Sequence, residues 1–213
     1  MKTMRVSNKC YNRELRSIEL ARRMLGLEAR TQTICAWSGL TGDRVRNLSR
    51  VLGRDGVGRG ASRQRGPSPS KFALLMASPS IRQEAPAIAG LCRWFDVIPG
   101  ERCPDARKRL PGIERGERLC DALELFREMV PETRITLEQV VLLVFTLAEG
   151  QGWTLGVCAS CHATILIDRL ALSRRLCAHC EPRAGADRFE VQEPRLTFER
   201  EHTDTSFVQQ TLF

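Results

Sequence analysis

With 213 residues, 42% of them hydrophobic and 27% charged, the chain is long enough to bury a sizeable core, and its composition argues against wholesale disorder. A formal net charge of +8 favours association with polyanions and raises nucleic acid as a partner. The first ten residues hold no apolar leader core, and the longest apolar run, from Val140 to Ala148, is far short of a membrane span. A cytoplasmic protein with no membrane partner is therefore expected, and nine cysteines in such a compartment point to free thiols and metal rather than disulfides. All 33 basic residues except Lys2, Lys9, Lys71 and Lys108 are arginine, the side chain that forks onto phosphates and guanine edges. Codon bias in a GC-rich genome gives the same excess, so the bare count carries little.

From residue 11 to about 39 the spacing predicts helix, with Leu15, Ile18, Ala21 or Arg22, Leu25 and Ala29 recurring at three- and four-residue steps. Gly26 and Gly39 are its weak points, and Gly39-Leu40-Thr41 reads as a turn into a second helix, capped by Thr41. That helix, residues 43–52, sets Val45, Leu48 and Leu52 on one face and leaves Arg44, Arg46, Asn47 and Arg50 on the rest of its surface. Residues 53–70 break all periodicity with glycines up to Gly66 followed by Pro67 and Pro69, a loop or linker.

Ser78-Pro79-Ser80 opens another helix, in which Ile88, Leu91 and Phe95 keep one face while Cys92 and Trp94 flank it. Residues 100–116, with Pro104, Pro111 and a run of basic side chains, read as a solvated connector. Leu119, Leu123, Phe126 and Val130 then form a stripe ended by Pro131. Thr136 and Gln139 make a capping-box pair ahead of Val140, Val141, Val144, Leu147 and Ala148, with Gly150 as the stop. These last two segments are expected to form an antiparallel helical hairpin.

After Trp153 the pattern changes to short extended pieces, 153–157, 163–167 and 175–176, which bracket two cysteine pairs. Cys158-Ala-Ser-Cys161 and Cys177-Ala-His-Cys180 stand fifteen residues apart, at the edge of the window for a tetrahedral four-cysteine zinc site. Two residues between thiols let one tight turn aim both sulfurs at one ion, and two such turns supply four ligands. With Cys158, Cys161, Cys177 and Cys180 filling every position, a single zinc ion here is structural, and no place remains for an activated water. A thioredoxin-like redox role needs one such pair at a strand-to-helix junction, and a deaminase needs a His-x-Glu element that His162, His179 and His202 do not offer. Cys35, Cys92 and Cys120 lie in apolar helical stretches and read as small core residues. The tail, residues 183–213, is mildly acidic, shows no sustained periodicity and is expected to be disordered.

Residues 31–52 match a helix-turn-helix layout: Ile34 and Cys35 before the turn, Gly39 within it, and Leu40, Val45 and Leu48 locking the second helix. Between Gly42 and Gly66, seven arginines face only Asp43 and Asp55, a local field that attracts phosphates. Arg44, Arg46, Asn47 and Arg50 are the candidate DNA-contacting residues.

The order of these parts resembles the flagellar master transcriptional regulator FlhC family, as a divergent member. The resemblance rests on Leu25-Gly26-Leu27-Glu28-Ala29-Arg30, on Leu40-Thr41-Gly42-Asp43-Arg44-Val45, on the Gly/Pro loop at Arg65-Gly66-Pro67-Ser68-Pro69 and on the late double cysteine pair. The stretch 70–116 and the long acidic tail depart from the family pattern. The resemblance implies a zinc site at the four cysteines, DNA binding in a hetero-oligomer with a FlhD-like subunit, and activation of flagellar or related genes, with RNA polymerase as a further contact. The fold expected is mainly α: a helical body over 11–150 with a helix-turn-helix-like element, and a C-terminal zinc ribbon over 153–182. No Ser/His/Asp, phosphate-loop or open-metal arrangement suggests an enzyme. The reading from another class is a zinc-stabilised protein-interaction subunit without direct DNA contact.

Overall fold

The computed structural model describes residues 8–54, 71–99, 110–150, 152–170 and 175–181. Its elements are α1 (Asn8–Gly26), α2 (Thr31–Ser38), α3 (Gly42–Arg54), α4 (Phe72–Met76), α5 (Pro79–Trp94), α6 (Ile113–Met129), α7 (Leu137–Glu149), β1 (Trp153–Val157) and β2 (Thr164–Asp168). The protein is mainly α, with a small C-terminal strand pair that carries a four-cysteine cluster. The loop at 55–70, most of the connector at 100–116 and the tail beyond residue 182 lie outside the described residues.

The stretch expected as one helix to Gly39 is two. α1 closes in a Schellman motif: Glu28 takes the left-handed conformation (φ 62°), its N–H donates to the Leu25 carbonyl, and the Ala29 N–H donates to the Met24 carbonyl. Gly26 lies two positions before the residue that turns. The buried face of α1 also sits further round the helix than the anticipated stripe, with Ser17, Leu20, Ala21 and Met24 inside and Leu15 47% exposed. The phase shifts because α1 packs on α2, α3 and α6 together, so a broad side rather than a narrow stripe is covered.

α6 lies along α1, tied by ion pairs from Arg16 to Glu117 (2.5 Å) and from Arg23 to Asp121 (2.7 Å) and Glu124 (2.6 Å). Gly116 permits the approach, since a Cβ there would come within 2.7 Å of Leu20 Cδ2 and 3.4 Å of the Trp37 ring. α6 and α7 do not form the expected hairpin. α5 is their common neighbour, packing on both, while α6 turns to α1 and α2 and α7 turns to α4 and β1. Ile88, Ala89 and Cys92 of α5 are wholly buried in that position, which the flanking place expected for Cys92 does not capture. The capping box is formed, with the Gln139 N–H donating to the Thr136 hydroxyl and the Thr136 N–H to the Gln139 side chain, and Gly150 ends α7 at φ 63°.

β1 and β2 run antiparallel, in register from Trp153 opposite Asp168 to Val157 opposite Thr164. The ribbon is docked on the body. Leu155 and its cross-strand partner Leu166 pack onto the main core, and Phe72 of α4 meets the Trp153 ring edge-on at 5.0 Å. Ile165 and Ile167, of opposite parity on β2, belong instead to the small cluster around the cysteines. Arg175 and Leu176 are not a strand, although the Arg175 carbonyl accepts from the Ala159 N–H.

Candidate metal centre

Cys158 follows β1 directly and is fully buried, and the reversal after it is closed by the Cys158 N–H donating to the Ala163 carbonyl (2.8 Å). His162 donates back to the Cys158 carbonyl and takes φ 60°, which bends the chain so that Cys161 faces the same point as Cys158. The second knuckle repeats the pattern, with the Cys180 and Glu181 amides donating to the Cys177 carbonyl at 3.0 and 2.9 Å. A cross-link joins the two: the Cys177 N–H donates to Cys158 Sγ at 3.3 Å.

All four Sγ atoms lie within 4.8 Å of one another, and Cys161 and Cys177 are 3.6 Å apart. Tetrahedral bonds of about 2.3 Å set the sulfurs about 3.8 Å apart, so the cluster has the dimensions of a single-ion site. The four cysteines named from sequence are thus brought together, and they can hold one metal ion.

The charge of the sulfurs is managed by the knuckles. Cys158 is drawn down to about 6, chiefly by the Cys161 amide and further by those of Cys177 and Ser160, against the cost of burial. Cys177 is lowered chiefly by the Cys180 amide. At Cys180 the Ser160 hydroxyl favours the thiolate, yet the neighbouring thiols of Cys177, Cys161 and Cys158 outweigh it and push the group up to about 12. Four sulfurs this close cannot all ionise unaided, and a dication among them removes the opposition. His162 and His179 are exposed on the outside of the knuckles. Cys92 and Cys120 stand apart as core thiols, each raised to about 12 by burial.

The candidate DNA-contacting residues occupy a separate region. Gly39 ends α2 in the left-handed conformation (φ 74°), its N–H donating to the Cys35 carbonyl, and the chain enters α3 after Leu40 and Thr41. Ile34, Trp37 and Val45 are wholly buried where the two helices meet, with Leu40 beneath the turn. Arg44, Arg46, Asn47 and Arg50 all lie exposed on α3. Two of them have protein partners that sequence reasoning did not find: Arg44 pairs with Glu14 of α1 at 2.5 Å, and Arg46 with Asp43 at 2.6 Å.

Sequence reasoning also missed Glu138, which is 3% exposed and accepts from the Arg30 N–H and the Thr33 hydroxyl, both at 2.9 Å. Its carboxylate sits at the N-terminus of α2, where the first amides have no partner within their own helix. In the sequence Glu138 reads only as a first-turn acid of its own helix.

No protein-family model matches the chain, and no curated protein matches it. Among the described residues no helix is long and apolar enough to cross a membrane.

Proposed function

We propose that the chain is a DNA-binding transcription regulator, with α3 as the helix that enters a groove of DNA and a zinc ion holding the C-terminal knuckles together. The observation that carries this reading is the α2–turn–α3 unit, braced by α1, with Arg44, Arg46, Asn47 and Arg50 exposed on α3. Zinc is the ion this reading assigns, because four cysteine sulfurs within 4.8 Å of one another match the all-thiolate donor set of structural zinc sites. Cys158, Cys161, Cys177 and Cys180 hold it, and its role is to supply folding free energy rather than to activate water. The resemblance to FlhC supports activation of flagellar or related genes in a complex with a FlhD-like subunit, and RNA polymerase as a further contact.

A second reading, a zinc-stabilised protein-interaction subunit with no direct DNA contact, draws on the ion pairs that already occupy Arg44 and Arg46. A salt titration of DNA binding separates the two. Under the first reading, Arg46→Ala or Arg50→Ala costs about 1 to 3 kcal/mol where the side chain meets a base edge, or lowers the salt slope by about 1 where it meets a phosphate. Arg169→Ala and Arg175→Ala, on the ribbon, are the controls. Promoter binding that ignores the α3 changes and fails with the ribbon changes makes α3 an assembly surface, and salt-insensitive association with protein alone supports the second reading.

A further inference from the structure

The four sulfurs of the metal centre are not equally placed. Cys158 and Cys180 are buried and pack with Ile165 in the small cluster beneath the knuckles, and Cys158 Sγ is further covered by the Cys177 N–H at 3.3 Å. Cys161 is exposed, in a stretch from Ala159 to Thr164 that is exposed throughout, and Cys177 is half-buried. These two come from different knuckles, sixteen residues apart, and their sulfurs stand 3.6 Å from each other. The centre therefore has an outer sulfur pair and an inner one.

Peroxides oxidise cysteine sulfur where it is accessible and has thiolate character, and a resolving cysteine close by captures the first product as a disulfide. Cys161 is the accessible member of the four, and Cys177 is the resolving partner beside it. The sulfurs of a disulfide lie about 2.05 Å apart, so these two have to close by about 1.5 Å. Cys158 and Cys180 would first have to leave their contact with Ile165.

We propose that Cys161 and Cys177 are a modification site, oxidised by a hydroperoxide to a disulfide across the two knuckles, with loss of the metal. Cys161 Sγ attacks the peroxide, the O–O bond breaks, and hydroxide leaves and is protonated to water, so that Cys161 becomes a sulfenic acid. Cys177 Sγ then displaces that oxygen, which leaves as a second water as the S–S bond forms. The two sulfurs give up two electrons and the peroxide takes them. Cys158 and Cys180 take up protons and release the ion, because two thiols are too few donors to keep it. On the zinc reading above that ion is zinc; the choice of sulfur pair follows from burial and distance alone. The new bond joins the same two turns that the ion joined, so a thiol reductant and fresh zinc restore the site.

The test uses the full-length protein purified without chelator, its zinc content measured first. It is treated with about a tenfold excess of hydrogen peroxide, alkylated in denaturant and digested with trypsin without reduction. Cleavage after Arg134, Arg169, Arg175 and Arg183 puts Cys158 and Cys161 in one peptide (135–169) and Cys177 and Cys180 in another (176–183), so a bond across the knuckles joins the two peptides and a bond within a knuckle does not. The joined pair, with Cys158 and Cys180 alkylated, should exceed every other oxidised form of the four cysteines by at least about tenfold. One zinc ion should be released per joined pair, and dithiothreitol with added zinc should reverse both. A bond within either knuckle, a joined pair that uses Cys158 or Cys180, sulfinic acid in place of the disulfide, or no oxidation of the four overturns the proposal. Protein that holds no zinc at the outset sinks the metal assignment alone, since the joined pair should still form there, and its absence there overturns this proposal as well.

Discussion

The helical body buries Trp37, Phe126, Leu20, Met24 and Ile88 below 2% exposure, whereas the cluster beneath the cysteine knuckles buries Ile165 beside Cys158 and Cys180 and little else. Both regions hold a defined backbone, but among the described residues the first does so by removing apolar area from water over seven helices and the second over two short strands and two turns. A segment that small buries too little surface to offset the entropy of ordering its chain, and the ion proposed for its four sulfurs, together with docking on its neighbour, would supply the difference. The two contributions are separable by experiment, because the sulfurs make the first and Trp153, Leu155 and Leu166 make the second.

The largest effect is expected from the metal. Purified protein should contain one zinc per chain, and stripping it, or changing Cys158 to Ser, removes binding free energy on the order of 10 kcal/mol from the knuckles. β1, β2 and both knuckles should lose their dispersed amide signals while α1 to α7 keep their helical circular dichroism. Protein prepared without chelator that holds no metal, or a body that melts together with the knuckles, breaks the comparison. Trp37→Ala is the converse test. Trp37 is enclosed by Leu20, Gly116 and the edge-on ring of Phe145 at 6.2 Å, so truncation leaves a large cavity and should destabilise the body by about 3 to 5 kcal/mol in urea titration. The zinc content of the folded protein should not change.

Glu138→Ala should follow at about 2 to 3 kcal/mol, because it strips a charged acceptor from the Arg30 amide and the Thr33 hydroxyl in a place water does not reach. Its mark is local: exchange at the Arg30 amide should quicken more than exchange in α5 or α6. A uniform loss across the body would instead make Glu138 a packing residue.

The features legible in the sequence were those whose cause is local. A CxxC turn aims two sulfurs whatever surrounds it, a Thr136/Gln139 box satisfies its own amides, and a left-handed residue at Gly39 needs nothing beyond the glycine. What escaped depends on neighbours distant in the chain. The pairing of α6 and α7 with α5 rather than with each other is decided by how three stripes pack at once, and short connections alone favour the hairpin. Glu138 joins residues more than a hundred positions apart, and the Glu14 partner of Arg44 becomes visible only when α1 is laid beside α3. α1 does end at Gly26, the weak point its glycine marks, but the left-handed residue of the break is Glu28, which carries no sequence mark of the conformation it adopts.

That residue gives the smallest and most discriminating change. At φ 62° Glu28 occupies a region that disfavours L side chains by about 1 to 2 kcal/mol, and glycine relieves this while adding back-chain freedom to the unfolded state. The balance should leave Glu28→Gly stabilised by about 0.5 to 1 kcal/mol, read as a higher urea midpoint with an unchanged slope. The gain belongs to the body alone, since the Schellman bonds from Glu28 and Ala29 close on α1 and the carboxylate of Glu138 takes the Arg30 amide two residues later. Metal release from the knuckles, followed with a chelator under native conditions, should therefore keep its rate. A variant that releases zinc more slowly shows that opening of the body precedes opening of the knuckles, and the two regions are then one cooperative unit despite their different means of support.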